Sequence, residues 1–172
     1  LADAVDPVEQ GYAPLLGSFG NYVALTFSDV AEESPTAAKA QIENEPLYVC
    51  LFDGRRFTDP VPIETKGRHR YGQMAQVGAK LLVAWKRGAS YPAVEWGTYM
   101  FHDIGLALVD PIRGTVESTA YVEDLKYNAY PAMARLGDRI ALIHTKHEHD
   151  YGIAGDPAEF LGLWGGWLEV GR

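Results

Sequence analysis

Apolar and polar residues alternate along three separate stretches of this chain, and the three stretches resemble one another. Val23, Leu25 and Phe27 take every second position in the first, Leu81, Val83 and Trp85 in the second, and Ile140, Leu142 and His144 in the third. A period of two is the pattern of a pleated strand with at least one buried face. Each stretch follows a glycine (Gly20, Gly78 or Gly137), and the next residue is Asn21, Ala79 or Asp138. Gly-Asn and Gly-Asp are turn signals for a two-residue hairpin. A short apolar pair precedes each glycine: Leu15-Leu16, Met74-Ala75 and Met133-Ala134. Each unit therefore opens with two antiparallel strands.

The copies continue beyond the hairpin. A third strand is predicted at Leu47 to Phe52 and again at Ile104 to Val109, an offset of 57 residues. Glycine turns close both, at Asp53-Gly54 and at Asp110 to Gly114. A fourth strand is predicted at Val61 to Thr65 and at Thr115 to Val122. In the third copy Leu161 to Trp167 takes the third place, and no clear fourth strand follows. Tyr12, Tyr71 and Tyr130 recur at a spacing of 59 residues, with one extra residue assigned near Ser18 to bring the glycines into line. A fixed period of this length marks a repeated supersecondary unit. Four antiparallel strands in up-and-down order predict the blade of a β-propeller, whereas β-helices and solenoids use shorter periods. The expected fold is all-β: one partial propeller domain over 1–172, with blades at about 11–65, 70–122 and 129–172 and an N-terminal strand at 2–9.

Propellers have about four to eight blades, so three do not close a ring. An open arc leaves strand edges free to aggregate. The chain is expected to self-associate into a six-bladed ring, or to be completed by the remaining blades of a longer protein. Asp6-Pro7-Val8 is similar to Asp59-Pro60-Val61, so the segment Ala2 to Glu9 is expected to act as a fourth strand beside Trp164 to Val170. In a dimer it would come from the partner chain.

Composition narrows the function classes. Hydrophobic residues at 47% suffice for a packed core, and aromatics at 12% suit both sheets and sugar-binding surfaces. A net charge of −8 supplies no basic stripe, which argues against nucleic acid. No apolar run reaches the length of a membrane span. The chain starts at Leu1 without methionine and shows no signal peptide, so it reads as a mature or trimmed product. The missing targeting information is no evidence for the cytoplasm, and an extracellular setting is favoured over it. The single cysteine, Cys50, sits in an apolar strand and reads as a core residue rather than a nucleophile.

Long connections are expected at Asp29 to Glu45, Gly88 to Asp103 and His147 to Phe160, on the same face as the crossings Lys66 to Arg70 and Asp124 to Ala129. Helix starts are expected at Ser34-Pro35 and Asp156-Pro157. Loops held on a rigid scaffold commonly carry function. The candidate ligand-binding residues on this face are His69, Arg70, Tyr71, Trp96, Tyr127, Tyr130, His147, His149 and Tyr151. Rings pack against the C–H face of a sugar, while polar neighbours serve its hydroxyls. Recurrence of the tyrosines favours a structural role at the start of each blade. His69 and Arg70 belong to one copy only, which favours function.

His147-Glu148-His149-Asp150 would turn two imidazoles to one side of an extended loop, as metal ligands require. It is not an HExxH motif and lacks an evident third ligand, so a polar loop is preferred and no cofactor is expected. Glu43, Glu45, Glu95 and Glu148 contain possible carboxylate pairs for glycoside cleavage but read as solvated. His144 reads as a packed strand residue, and Trp164 and Trp167 as packing between blades.

Residues 47–88 carry a further pattern: Phe52-Asp53-Gly54, Phe57, Pro60-Val61-Pro62-Ile63, Met74-Ala75, Gly78 and Leu81 to Trp85. This pattern resembles the repeats of bacterial lectin-like and sialidase-like β-propellers, and it extends in weaker form to the other two copies. The resemblance implies the fold. Lectins, glycosidases and polysaccharide lyases share such repeats, so it assigns no active-site residue. The sialidase box S-x-D-x-G-x-x-W is absent. The expected function is a non-catalytic carbohydrate-binding module. One alternative is a glycoside hydrolase or lyase. There His69, Tyr71, His102 or the 147–150 cluster would move protons, and Arg70 would neutralise a uronate carboxylate. Another is a protein-interaction scaffold.

Overall fold

The computed structural model describes residues 11–29, 44–92, 98–123, 126–147 and 160–169. Among these the chain is all strand, with no helix, and hence no helix long and apolar enough to cross a membrane. In chain order the strands are β1 (Gly11–Phe19), β2 (Tyr22–Asp29), β3 (Asn44–Glu45), β4 (Leu47–Phe52) and β5 (Val61–Glu64). They continue with β6 (Gly67–Val77), β7 (Lys80–Pro92), β8 (Thr98–Asp110), β9 (Thr115–Val122), β10 (Tyr127–Leu136), β11 (Arg139–His147) and β12 (Phe160–Glu169).

Three antiparallel sheets result. Sheet 1 has the order β1-β2-β4-β5, sheet 2 the order β6-β7-β8-β9, and sheet 3 the order β10-β11-β12. Short parallel contacts tie neighbours together: β3 runs beside the start of β6, and His102 pairs with Tyr127. The first hairpin of every sheet turns on Gly20, Gly78 or Gly137, with φ of 56, 57 and 63°. Positive φ at the first turn residue alone is the II′ pattern, which glycine adopts without a steric penalty. Equivalent side chains stitch these turns together. Gln76 donates to the Gly78 carbonyl and accepts from the Gly20 N–H, while Arg135 donates to the carbonyls of Gly137 and Gln76.

The sheets pack face to face by one repeated rule. We call the side of each sheet bearing Val23, Leu81 or Ile140 its front, and the side bearing Thr26, Ala84 or Ile143 its back. The back of sheet 1 (Ala24, Val49, Leu51) lies on the front of sheet 2 (Leu81, Val83, Trp85). The back of sheet 2 (Ala84, Ile104) lies on the front of sheet 3, at Leu142. Sheet 2 is thus covered on both sides, and every residue from Leu81 to Trp85 is buried. β5 also touches β9.

Two sequence expectations need correction. Gly88 to Pro92 and Thr98 to Asp103 are strand rather than loop, because β7 and β8 stay paired from Leu81↔Val109 out to Pro92↔Thr98. The extra residue near Ser18 does not exist either. Pairing runs without a break from Leu15↔Thr26 to Phe19↔Tyr22, as it does from Gln73↔Ala84 to Val77↔Lys80. Tyr12 therefore faces Ser28 in the place that Arg70 takes opposite Lys86, and Ala13 stands where the later copies have Tyr71 and Tyr130. The expected strand at 2–9 and the helix starts at Ser34 and Asp156 lie outside the described residues.

Candidate functional site

Each first hairpin carries a bulge at the same place. Register jumps from Arg70 to Gln73 in β6, so Tyr71 and Gly72 together face Trp85. In β10 it jumps from Ala129 to Ala132, so Tyr130 and Pro131 face His144. A bulge of this kind re-aims the side chain of its extra residue. Tyr71 has φ of 56° and Tyr130 of 51°, and among the described residues no other non-glycine has positive φ. The left-handed region costs a bulky L-residue roughly 1–2 kcal/mol. Two tyrosines at equivalent positions are thus held in a conformation that their own chemistry disfavours.

What this achieves is contact across a sheet boundary. The two rings meet with centroids 5.2 Å apart and planes inclined by 46°. The Lys86 ammonium stands 6.0 Å from the Tyr71 ring and 5.9 Å from the Tyr130 ring. Tyr130 is 53% exposed, so its ring offers an open face, while Tyr71 is half-buried. Behind them Gly72 presses on sheet 1, where an added Cβ would lie 2.8 Å from Thr26 Oγ1.

His69 points the other way, into the boundary between sheets 1 and 2, while Arg70 reaches sideways to Glu45 of β3. The His69 ring is fully buried. Its Nε2 donates to the Lys66 carbonyl at 2.6 Å, and its Nδ1 accepts from Trp85 Nε1–H at 3.2 Å. These partners fix the neutral Nε2–H tautomer, and burial holds the imidazole below its ordinary pKa. The His69 carbonyl accepts from the Ser28 hydroxyl of sheet 1. Arg70 is forked onto the buried Glu45, both bonds being 2.6 Å, which ties β3 to β6. Arg87 lies over the Tyr121 ring and reaches Glu64, Asp103 and Glu123.

The remaining candidates are dispersed. Tyr127 and His147 are register partners in sheet 3, and the His147 ring packs 5.2 Å from that of Phe160. Trp96, His149, Asp150 and Tyr151 lie outside the described residues, and with them most of the 147–150 loop. Among the described residues no three His, Cys, Asp or Glu side chains converge. Trp164 and Trp167, expected as packing between blades, are instead half-exposed, with Lys146 over one ring and Arg139 over the other. Burial pushes the Cys50 thiol up to about 11, so at neutral pH it is no nucleophile.

Two open grooves run beside β12. One of about 360 Å³ lies against Leu106, Leu108 and Ala120, and one of about 290 Å³ against Leu142, His144 and Trp164. Both linings are mainly apolar. Sequence reasoning missed Lys86, a strand residue set between two aromatic copies, and the only available signal was its place next to Trp85 in the repeated column. No protein-family model and no curated protein matches this chain.

Proposed function

We propose that the three sheets are consecutive blades of a β-propeller and that this propeller recognises carbohydrate without catalysing its cleavage. The up-and-down order within each sheet supports the blade reading, as do the constant packing of back on front and the contacts of β6 with both β1 and β10. The observation that carries recognition is the Tyr71–Tyr130 pair. A strained, repeated aromatic with an open face is spent on something other than stability. A sugar ring packs its C–H face on Tyr130, and its hydroxyl oxygens accept from the Lys86 ammonium. His69 and Arg70 serve the boundary between sheets, so proton transfer at His69 has no part in this function.

The test is a glycan array probed with the full chain, repeated with Tyr130→Gly. Glycine accepts positive φ, so relief of strain offsets the lost ring contact and the fold should hold to within about 1 kcal/mol. Retention of the best glycan should weaken about tenfold or more, the loss of roughly 1.4 kcal/mol of stacking. A chain that retains no glycan, or a variant that binds as well as the parent, overturns the proposal.

A further inference from the structure

The end sheets expose what the middle sheet buries. Leu81 and Ile140, on the fronts of sheets 2 and 3, are 0% and 2% exposed, but their counterpart Val23 on sheet 1 is 42% exposed. Thr26 and Ala84, on the backs of sheets 1 and 2, are both 0% exposed, but their counterpart Ile143 on sheet 3 is 47% exposed. The pattern extends around each position. Leu16 is exposed on the front of sheet 1, whereas the equivalent Met74 and Met133 pack against core clusters. Leu136, Leu163 and Trp167 are exposed on the back of sheet 3, whereas Phe19, the equivalent of Leu136, is buried. The chain thus ends in a front left open at Leu16 and Val23, with Phe27 and Cys50 buried farther along it, and in one bare back, the two kinds of surface that pack together twice within it.

We propose that the back of sheet 3 in one copy docks on the front of sheet 1 in a second copy, and reciprocally, so that two chains close on each other. The occupant follows from continuity with the two internal interfaces, where a back always meets a front. Among the described residues like faces do not meet, so a back-to-back contact has no precedent there. A head-to-tail contact either closes or grows without limit. Two copies bury all four end faces, which removes the exposed apolar surface that otherwise favours aggregation. Closure after two chains rests on the propeller reading above, in which six sheets complete a ring. The matching of faces does not.

Light scattering on the full chain, at high and low loading, tests this directly. The expected mass is that of two 18.9 kDa chains. Ile143→Lys and Val23→Lys place a charge on the back of sheet 3 and the front of sheet 1. Both side chains are exposed, so each variant keeps its fold, as circular dichroism will verify. Each alone should give half the parent mass. An equal mixture should recover paired chains, because one variant retains an intact front and the other an intact back. A parent that stays a single chain, a ladder of growing masses, or Val23→Lys still paired like the parent overturns the proposal. Glycan retention is read separately, so a paired chain that binds no sugar removes the carbohydrate reading and leaves the docking in place.

Discussion

His69 owes its charge state to the place where the chain buries it. A second proton would have to sit on Nδ1, where the Trp85 N–H already points and where Glu64 Oε2 is 3.9 Å away. Burial lowers the pKa, against the smaller opposing pull of the Lys66 carbonyl and Glu64. The unfolded imidazole titrates near its ordinary value of about 6.5. Between the two pKa values the unfolded chain holds more protons, so stability rises with pH across that window. The contribution of His69 is complete above about pH 6.5 and is lost as pH falls toward the folded pKa. Asn128, at the equivalent position of sheet 3, is also fully buried, which makes His69→Asn the natural comparison. The urea midpoint should fall between pH 7.5 and 5.5 in the parent and fall less in His69→Asn. An equal fall in both would remove His69 as the cause. Such a role was not legible in the sequence, where a histidine unique to one copy argues for function. The tyrosine spacing was legible, but positive φ was not. It arises from a bulge that only pairing registers reveal, and those registers leave Tyr12 one step away from the shared position.

Strands were the most legible level, because their cause is local. Period-two alternation and a glycine with positive φ set β2, β7 and β11 and their turns, and β4 and β9 match their expected bounds residue for residue. The length of the β7–β8 hairpin was not legible, since Tyr91-Pro92 looks like a loop until its partner strand is known. Packing within that hairpin supplies a sharp constraint. Trp85 is fully buried, and its ring covers Gly105 on the adjacent strand, where an added Cβ would lie 2.3 Å from ring carbon Cε2. The indole cannot swing aside, because His69 holds its N–H and core side chains surround it. Gly105→Ala should therefore cost about 1–3 kcal/mol through overpacking, read as a lower urea midpoint with unchanged slope. A shift below about 0.5 kcal/mol, the scale of an ordinary surface substitution, would show that the boundary has slack at this point.

At the scale of the whole molecule, coverage is unequal. Among the described residues sheet 2 is sandwiched, while sheets 1 and 3 each pack on one neighbouring sheet. The number of repeats hinted at this from sequence, but which side chains stay bare depended on knowing that backs meet fronts. If the bare faces close on a second copy, folding and association become one equilibrium. Anything that binds only the folded chain raises its apparent stability by mass action. For a pair of chains, tenfold more protein adds about 1.4 kcal/mol per pair once concentration exceeds the dissociation constant. The thermal midpoint of the parent should then climb by a few degrees for each tenfold rise in concentration. Ile143→Lys, with the back of sheet 3 charged, should melt at one temperature whatever the loading. The comparison separates association from fold stability, since a substitution that merely weakened the sheet would lower the midpoint and keep its concentration dependence. A parent midpoint that ignores concentration would show that no second copy covers these faces.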